Sequence, residues 1–298
     1  MSRMNRLSGL FSPRTASQKA SFQILSDLHL HHDAQYLTFH IPVSAPYLIL
    51  AGNIGRLADY DSYLSFLIRR SDLYERIYLV LGSLEFHGLT IPQGLDLARR
   101  MEQEPGVRGK LVVLDKERIH VPGTAVVILG CTLWSQIPDN AEETALKKVP
   151  EFDREQGIRD WDVASHNWQH GIDLAWLMHQ VQSQYCFART RSSATTPTHL
   201  LVVTSFAPEL SHTLSPWQVD SPWSSAYGTE LLKGIDWTGV KMWICGATGR
   251  TATFKKSGVK VVMNQRGCVG EEEKGILRDG MREKERKESF DVLRFISI

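Results

Sequence analysis

The 298-residue chain predicts an α/β fold in which sheets are covered by helices. Two observations carry that prediction: apolar runs such as YLILAG and IYLVLG have no polar alternation, as suits strands buried on both faces, and a helix-period segment separates them. A third is how the core runs end. ILSDLHLHH, LILAGNIG, LVLGSLEFHG and WICGATGR each pass from apolar strand into a short turn, mostly through glycine, the usual way of aiming side chains into a shared site.

Taken in order, 22–30 reads as a strand, as do 46–51 and 76–82. Between the last two, Tyr60, Leu64, Leu67 and Ile68 fall at helical spacing, so strand, helix, strand follows. A helix over 92–104 precedes strands at KLVVLD, ERIHVP and AVVILGCTLW. The stretch 140–188 reads as mostly helical, with Trp161, Trp168, Leu174, Leu177 and Val181 on its apolar face. RTRSSATTPT is an exposed loop, after which HLLVVTSF, VKMWICG and VKVVMN return to strand. A charge-dense, flexible insertion is expected over 271–289, and SFDVLRFISI closes the chain as an edge strand. Residues 21–298 therefore read as one domain behind a flexible basic leader, 1–20, and no internal repeat is seen.

Composition narrows the function classes. Apolar residues make up 42% and charged residues 22%, enough for a large core. The net charge of +1 encodes no global attraction to nucleic acid or anionic membrane, and no apolar run is long enough to span a bilayer. Four cysteines without CxxC spacing suit a reduced, cytoplasmic setting. The leader, with Arg3, Arg6, Arg14 and Lys19 and no acid before Asp27, admits mitochondrial targeting as the alternative to a disordered extension.

In sequence order, DLH at 27–29, GN at 52–53, GSLE at 82–85, VVTSFAP at 202–208 and GATG at 246–249 resemble the motif series of the calcineurin-like metallophosphoesterases. That series is D-x-H, G-D, G-N-H-E, a lone histidine after a strand, and G-H-x-H. Further wording, GCTLWS, PWSSAYGT and NQRG, is similar to fungal-type members. The resemblance implies a four-layer α/β/β/α sandwich of two mixed sheets, with the site at the carboxyl ends of the central strands.

It also implies where metal ligands would stand. Family members hold two divalent ions about 3.5 to 4 Å apart, which activate a hydroxide and clamp the phosphate. The first ion's positions correspond here to Asp27, His29, Asn53 and Gly249, and the second's to Asn53, Ser83, Ser205 and Ala247, while the general-acid histidine corresponds to Leu84. Two dications need anionic or imidazole donors in place of their water. A neutral amide is a poor bridge, Gly249 and Ala247 offer no side-chain donor, and only Asp27 and His29 remain. No metal cofactor is therefore expected, or at most one weakly held divalent ion at Asp27 and His29, with His31 joining them if the strand's alternation persists.

The expectation is a degenerate member whose pocket is repurposed to bind or transform a small organic molecule without metal. Asp27 and His29 are the candidate acid and base, the carboxylate raising the imidazole's affinity for its proton. Asn53, Ser83, Leu84, Glu85, His87, Trp134, Ser205, Ala247 and Arg250 are the candidate lining. For Glu85 the competing role is to hydrogen-bond a loop, for His87 to sit at the surface or rim, and for Trp134 and Trp223 to pack in the core. His166 and His170, at i and i+4 in HNWQH, have metal-binding spacing without an evident third ligand, so a helix face is expected of them. A weak mononuclear phosphoesterase and a non-enzymatic binding or scaffold protein are the alternatives. The fungal-type likeness carries the further expectation of a place in specialised metabolism. The partner is expected to be a small molecule, not nucleic acid or membrane.

Overall fold

The computed structural model describes residues 19–190, 198–267 and 288–298. Most of the leader and of the charged insertion, and part of the RTRSSATTPT loop, lie outside the described residues. Eleven strands are described, with five α-helices: β1 Ser21–Leu25, β2 Tyr47–Ala51, α1 Tyr60–Ser71, β3 Arg76–Val80, α2 Ile91–Gln103, β4 Leu111–Val113, β5 Glu117–His120, β6 Val126–Cys131, α3 Asp139–Lys148, α4 Val163–Thr190, β7 His199–Thr204, α5 Pro216–Val219, β8 Val240–Ile244, β9 Ala252–Lys256, β10 Val259–Met263 and β11 Phe295–Ser297.

Residue alternation builds two mixed sheets and explains the unbroken apolar runs. One sheet has the order β11-β1-β2-β3-β4, the other β5-β6-β7-β8-β10-β9. Within them β1 to β4, and β6, β7, β8 and β10, run parallel, while β11, β5 and β9 are antiparallel edges. Phe22, Ile24, Ile49, Ala51, Tyr78 and Val80 of the first sheet pack against Val126, Ile128, Leu201, Val203, Met242 and Ile244 of the second. Their neighbours Leu48, Leu50, Ile77 and Leu79 point the other way, into the layer of α1 and α2. Val127, Leu129, Leu200 and Val202 do the same toward α4. The central parallel strands thus bury both faces, worth about 1.5–3 kcal/mol per fully buried aliphatic side chain, while the edges β5, β9 and β11 stay partly exposed. Helix, sheet, sheet, helix is the resulting order of layers, the sandwich expected from the motif series.

Some boundaries differ from the sequence reading. The first strand stops at Leu25, not Leu30, with a single bridge from Ser26 to Gln265 beyond it. Asp27 and His29 adopt φ of +51° and +49°, and their N–H groups donate to Gly52 O (3.0 Å) and Asn53 O (3.1 Å). The backbone leaves the ladder to cross the end of β2, so alternation no longer places Asp27, His29 and His31 on one face. The 140–188 helix divides at Pro150–Phe152, and Trp168 on its second half is 65% exposed, not part of the apolar face. Leu177 and Val181 are buried as that face requires. β9 was not foreseen: ATFKK alternates weakly, and its strand form rests on pairing with β10 across a Ser257-Gly258 turn. No described helix is long and apolar enough to cross a membrane.

Candidate functional site

The carboxyl ends of β1, β2, β3, β7 and β8 converge, and their turns supply one polar cluster. Asp27 follows β1, Asn53 follows β2, Ser83 follows β3, Ser205 follows β7 and Ala247 follows β8. Asp27, His29, Asn53 and Ala247 all have φ between +49° and +64°. Side chains there cost about 1–2 kcal/mol relative to the right-handed regions, least for Asp and Asn, so the surrounding contacts must impose the turns.

Those contacts are hydrogen bonds that cross between strand ends. The Asn53 amide donates to Asp27 Oδ1 (3.0 Å), and its Oδ1 accepts from the Leu84 N–H (3.1 Å), which fixes the orientation of the amide. The Ala247 N–H approaches both Asp27 oxygens (3.2 and 3.1 Å). Gly246 lies so close that a Cβ on it would stand 2.7 Å from Asp27 Oδ2. Burial pushes the Asp27 carboxyl up to about 6, the Asn53 and Ala247 donors pulling the other way.

Ser205 occupies the seam between the two sheets. Its hydroxyl is buried, and a Cβ on Gly52 or Gly82 would meet Ser205 Oγ at 2.2 or 2.7 Å. Gly246 N donates to Ser205 O (2.8 Å). Ser83 is also buried and donates to Glu151 Oε1, a residue of the 150–152 turn. Glu151 was missed in the sequence because nothing in VPEFD distinguishes it from a surface acid.

Glu85 lies wholly inside and faces the second turn instead of the mouth. Its carboxylate accepts from Asn53 N (2.9 Å), Ile54 N (2.8 Å), Gly55 N (3.3 Å), Gly82 N (2.8 Å) and Tyr63 Oη (3.1 Å). Every partner is a donor and so favours the ionised carboxylate, against burial, which pushes its pKa up. Leu84 is buried above Asn53. Trp134 is 3% exposed and stacked among Phe86, Trp161, His166 and Phe206 at 4.6 to 6.0 Å, which makes it core, not rim. Trp223 is half-buried and packs beside Ala226 and Phe152. Arg250 turns away from the cluster and donates to Leu214 O (2.7 Å) and His212 O (3.3 Å).

His166 and His170 belong to the scaffold. His166 Nε2 accepts from Ser135 N (3.2 Å) and pairs with Ser135 Oγ (2.8 Å), while His170 Nδ1 lies 3.0 Å from Leu133 O. Asp173 accepts from Leu133 N (2.7 Å). Three successive turns of α4 thereby hold Leu133 and Trp134 at positive φ. Gln265, which the NQRG wording marks, holds the GATG turn by accepting from Thr248 N (2.9 Å) and Gly249 N (2.5 Å).

The chain just beyond Asp27 is histidine-rich, and His87 lies near it. His29, His31 and His87 are half-buried and His32 is exposed. Burial and the neighbouring His31 and His32 hold His29 down at about 3, and burial with His32 holds His31 at about 4. This reverses the expected effect of Asp27 on His29: desolvation outweighs any attraction, and the imidazole is uncharged at neutral pH. Burial lowers His87 as well, against the pull of Glu151. Beside His31 lies a cleft of about 390 Å³ bordered by Tyr36, Arg56, Asp59 and Asp61. The structure thus brings together the turns that carry Asp27, Asn53, Ser83, Leu84, Ser205 and Ala247, ties His29 to Asn53 O through its backbone N–H, sets His87 near His29 and His31, and leaves out Trp134 and Arg250.

No family model matches the chain, and no curated protein matches it by sequence. Among solved structures it is similar to a phosphopantetheinyl hydrolase (PptH) from Mycobacterium tuberculosis, at 15% identity and a TM-score of 0.58, over 85% of this chain and 91% of that one. A Staphylococcus aureus protein described as a 5'-nucleotidase, in complex with alpha-ketoglutarate, aligns at 14% identity and a TM-score of 0.45 over 84% of this chain; the match spans 49% of that protein. The first likeness, with the two sheets described above, gives this chain a metallophosphoesterase-like fold.

Proposed function

We propose that this chain is a degenerate metallophosphoesterase-like protein, without a two-metal hydrolytic centre, whose strand-end mouth binds or transforms a small organic molecule. One observation carries the reading. The positions that would ligate two ions are engaged with one another: the Asn53 amide and the Ala247 N–H both aim hydrogens at Asp27, and Ser205 fills the space between Gly52 and Gly82. An ion pair at these positions would face N–H donors where it needs lone pairs, and Gly249 and Ala247 bring no side-chain donor. These residues do not fit the metal pair that the fold family implies.

What remains at the mouth suits a small polar ligand. His29 and His87 offer half-buried imidazoles that lie near each other, and Asp27 and His29 are the groups proposed to exchange a proton with a bound molecule. Positive φ at Asp27, His29, Asn53 and Ala247 supports a functional reading, because strained backbone gathers at sites held for a purpose. The fungal-type wording extends the proposal to specialised metabolism.

The test uses metal stoichiometry and Asn53→Asp. Wild-type protein is expected to bind fewer than two equivalents of Mn²⁺ or Zn²⁺ and to leave an aryl phosphate uncleaved. Asn53→Asp sets a second buried carboxylate about where the amide now donates at 3.0 Å, and should cost about 2–4 kcal/mol in chelator. Added Mn²⁺ should not restore that stability. Two bound ions with metal-dependent hydrolysis, or full Mn²⁺ rescue of the variant, would overturn the proposal. Comparison of metabolites from cells with and without the gene then identifies the molecule.

A further inference from the structure

Beyond the loss of a metal pair, the geometry points to a single metal site that the motif series does not contain: we propose that His29, His31 and His32 together bind one divalent transition-metal ion. The donor nitrogens of the three rings lie within 4.8 Å of one another. His31 and His32 have ring centroids 4.0 Å apart, with His29 at 5.9 and 6.2 Å from them. His31 Nδ1 is buried and has no hydrogen-bond partner.

The local chain explains the convergence. His29 sits at φ +49° and accepts at its carbonyl from the His32 N–H (3.1 Å), so a tight turn over 29–32 gathers residues that an extended chain would send to opposite faces. His29 is further anchored through its own N–H to Asn53 O. A tetrahedral ion with bonds of about 2.0–2.1 Å needs donors about 3.4 Å apart. Closing from 4.8 Å asks for about 1.4 Å of adjustment, within reach of side-chain rotation at exposed His32.

Donor chemistry selects the ion. Three imidazoles without a carboxylate suit Zn²⁺, Co²⁺, Ni²⁺ or Cu²⁺ and disfavour Mg²⁺, Ca²⁺ and Mn²⁺, which prefer oxygen. Three protein ligands leave a position for water or a substrate group, the pattern of catalytic zinc sites. Arg56 and Arg266 stand close enough to oppose a cation, and Asp59, paired with Arg56 at 3.0 Å, offsets one of them. With the ion bound His29 is a ligand, and Asp27 alone is left to exchange protons at the mouth.

The experiment titrates the full chain, free of any polyhistidine tag and stripped with chelator, with Co²⁺ and separately with Zn²⁺. One equivalent should bind, and Co²⁺ should give the intense visible bands of a tetrahedral nitrogen site. His31→Ala and His32→Ala should each weaken binding by about 100-fold or more, since each removes a ligand outright where loss of a mere supporting contact costs about 10- to 100-fold. His120→Ala should bind as wild type. Because His32 is exposed, His32→Ala decides the matter even if His31→Ala fails to fold. No binding, wild-type affinity in His32→Ala, or loss of the ion in Asp27→Asn with retention in His32→Ala would each overturn the site. Two equivalents would instead overturn the proposed function, so the two readings fail separately.

Discussion

Removing the Glu85 carboxylate should be among the most damaging single changes in the protein. In Glu85→Ala, four backbone N–H groups and the Tyr63 hydroxyl lose their common acceptor inside a fully buried site. At about 1–3 kcal/mol for each of five stranded donors the gross loss is about 5–15 kcal/mol, and relief of one buried charge returns several kcal/mol of it. A net loss of about 4 kcal/mol follows. Glu85→Gln keeps the shape but turns an NH₂ toward at least two N–H donors, because Oε2 serves Asn53 and Gly82 while Oε1 serves the other three. It should lose about 2–3 kcal/mol. Tyr63→Phe removes one donor and should cost about 1 kcal/mol. Urea unfolding at pH 7 measures all three, and at about 2–4 °C per kcal/mol Glu85→Ala should melt about 8–16 °C lower. A Glu85→Gln protein within about 0.5 kcal/mol of wild type would refute the account, since it would mean that the buried group does not act as an acceptor for all five donors.

Two further outcomes are expected. His166 is fully buried against Trp134, Trp161, Phe152 and Phe206, which, with His170 nearby, holds it down at about 3. Its folded pKa is depressed, so its contribution is present above about pH 6.5 and lost as pH falls toward 3. By pH 5 the unfolded chain gains about 2 kcal/mol from protonating it, and His166→Gln should remove that much of the stability change between pH 7 and pH 5; an unchanged slope would count against the buried neutral ring. Gly52→Ala combines φ of +84° with a Cβ 2.2 Å from Ser205 Oγ and 2.6 Å from Ser205 Cβ. It should cost about 3 kcal/mol or more, and adding Ser205→Gly should recover the steric part, leaving about 1 kcal/mol of backbone strain. Additive effects of the two changes in thermal melts would show that the contact is not shared.

How much of this was legible depended on the physics behind each feature. The buried strands were visible because burial on both faces removes polar alternation, and YLILA and RIYLV became β2 and β3 within a residue or two of the expected limits. The strand-end turns were visible through their glycines. Side-chain direction beyond a strand was not: the sequence offers no sign that Asp27 and His29 would take positive φ, and the condition for His31 to join them by alternation, a strand that persists, is not met. Trp134 and Arg250 failed as lining for a related reason, since both lie within a residue or two of a strand-end turn yet point to other partners. Glu151 reaches Ser83 across 68 residues of chain, a pairing that no local pattern encodes. The HNWQH histidines have metal-like spacing, but what they hold is the carbonyl and N–H groups of a loop some 30 residues earlier.

The seam between the sheets has a consequence for cofactor dependence. Asp27 on one sheet is tied to Ala247 on the other, Thr132 Oγ1 donates to Leu81 O, and Ser26 N donates to Asn264 O, so the two halves are laced together at the carboxyl ends of their strands by hydrogen bonds that use no ion. The ion proposed for the 29–32 loop would be held by side chains that take no part in that lacing. On the proposed reading architecture and chemistry are uncoupled: gain, loss or exchange of an ion on that loop would leave these ties between the sheets in place, and the histidine loop would be free to diverge.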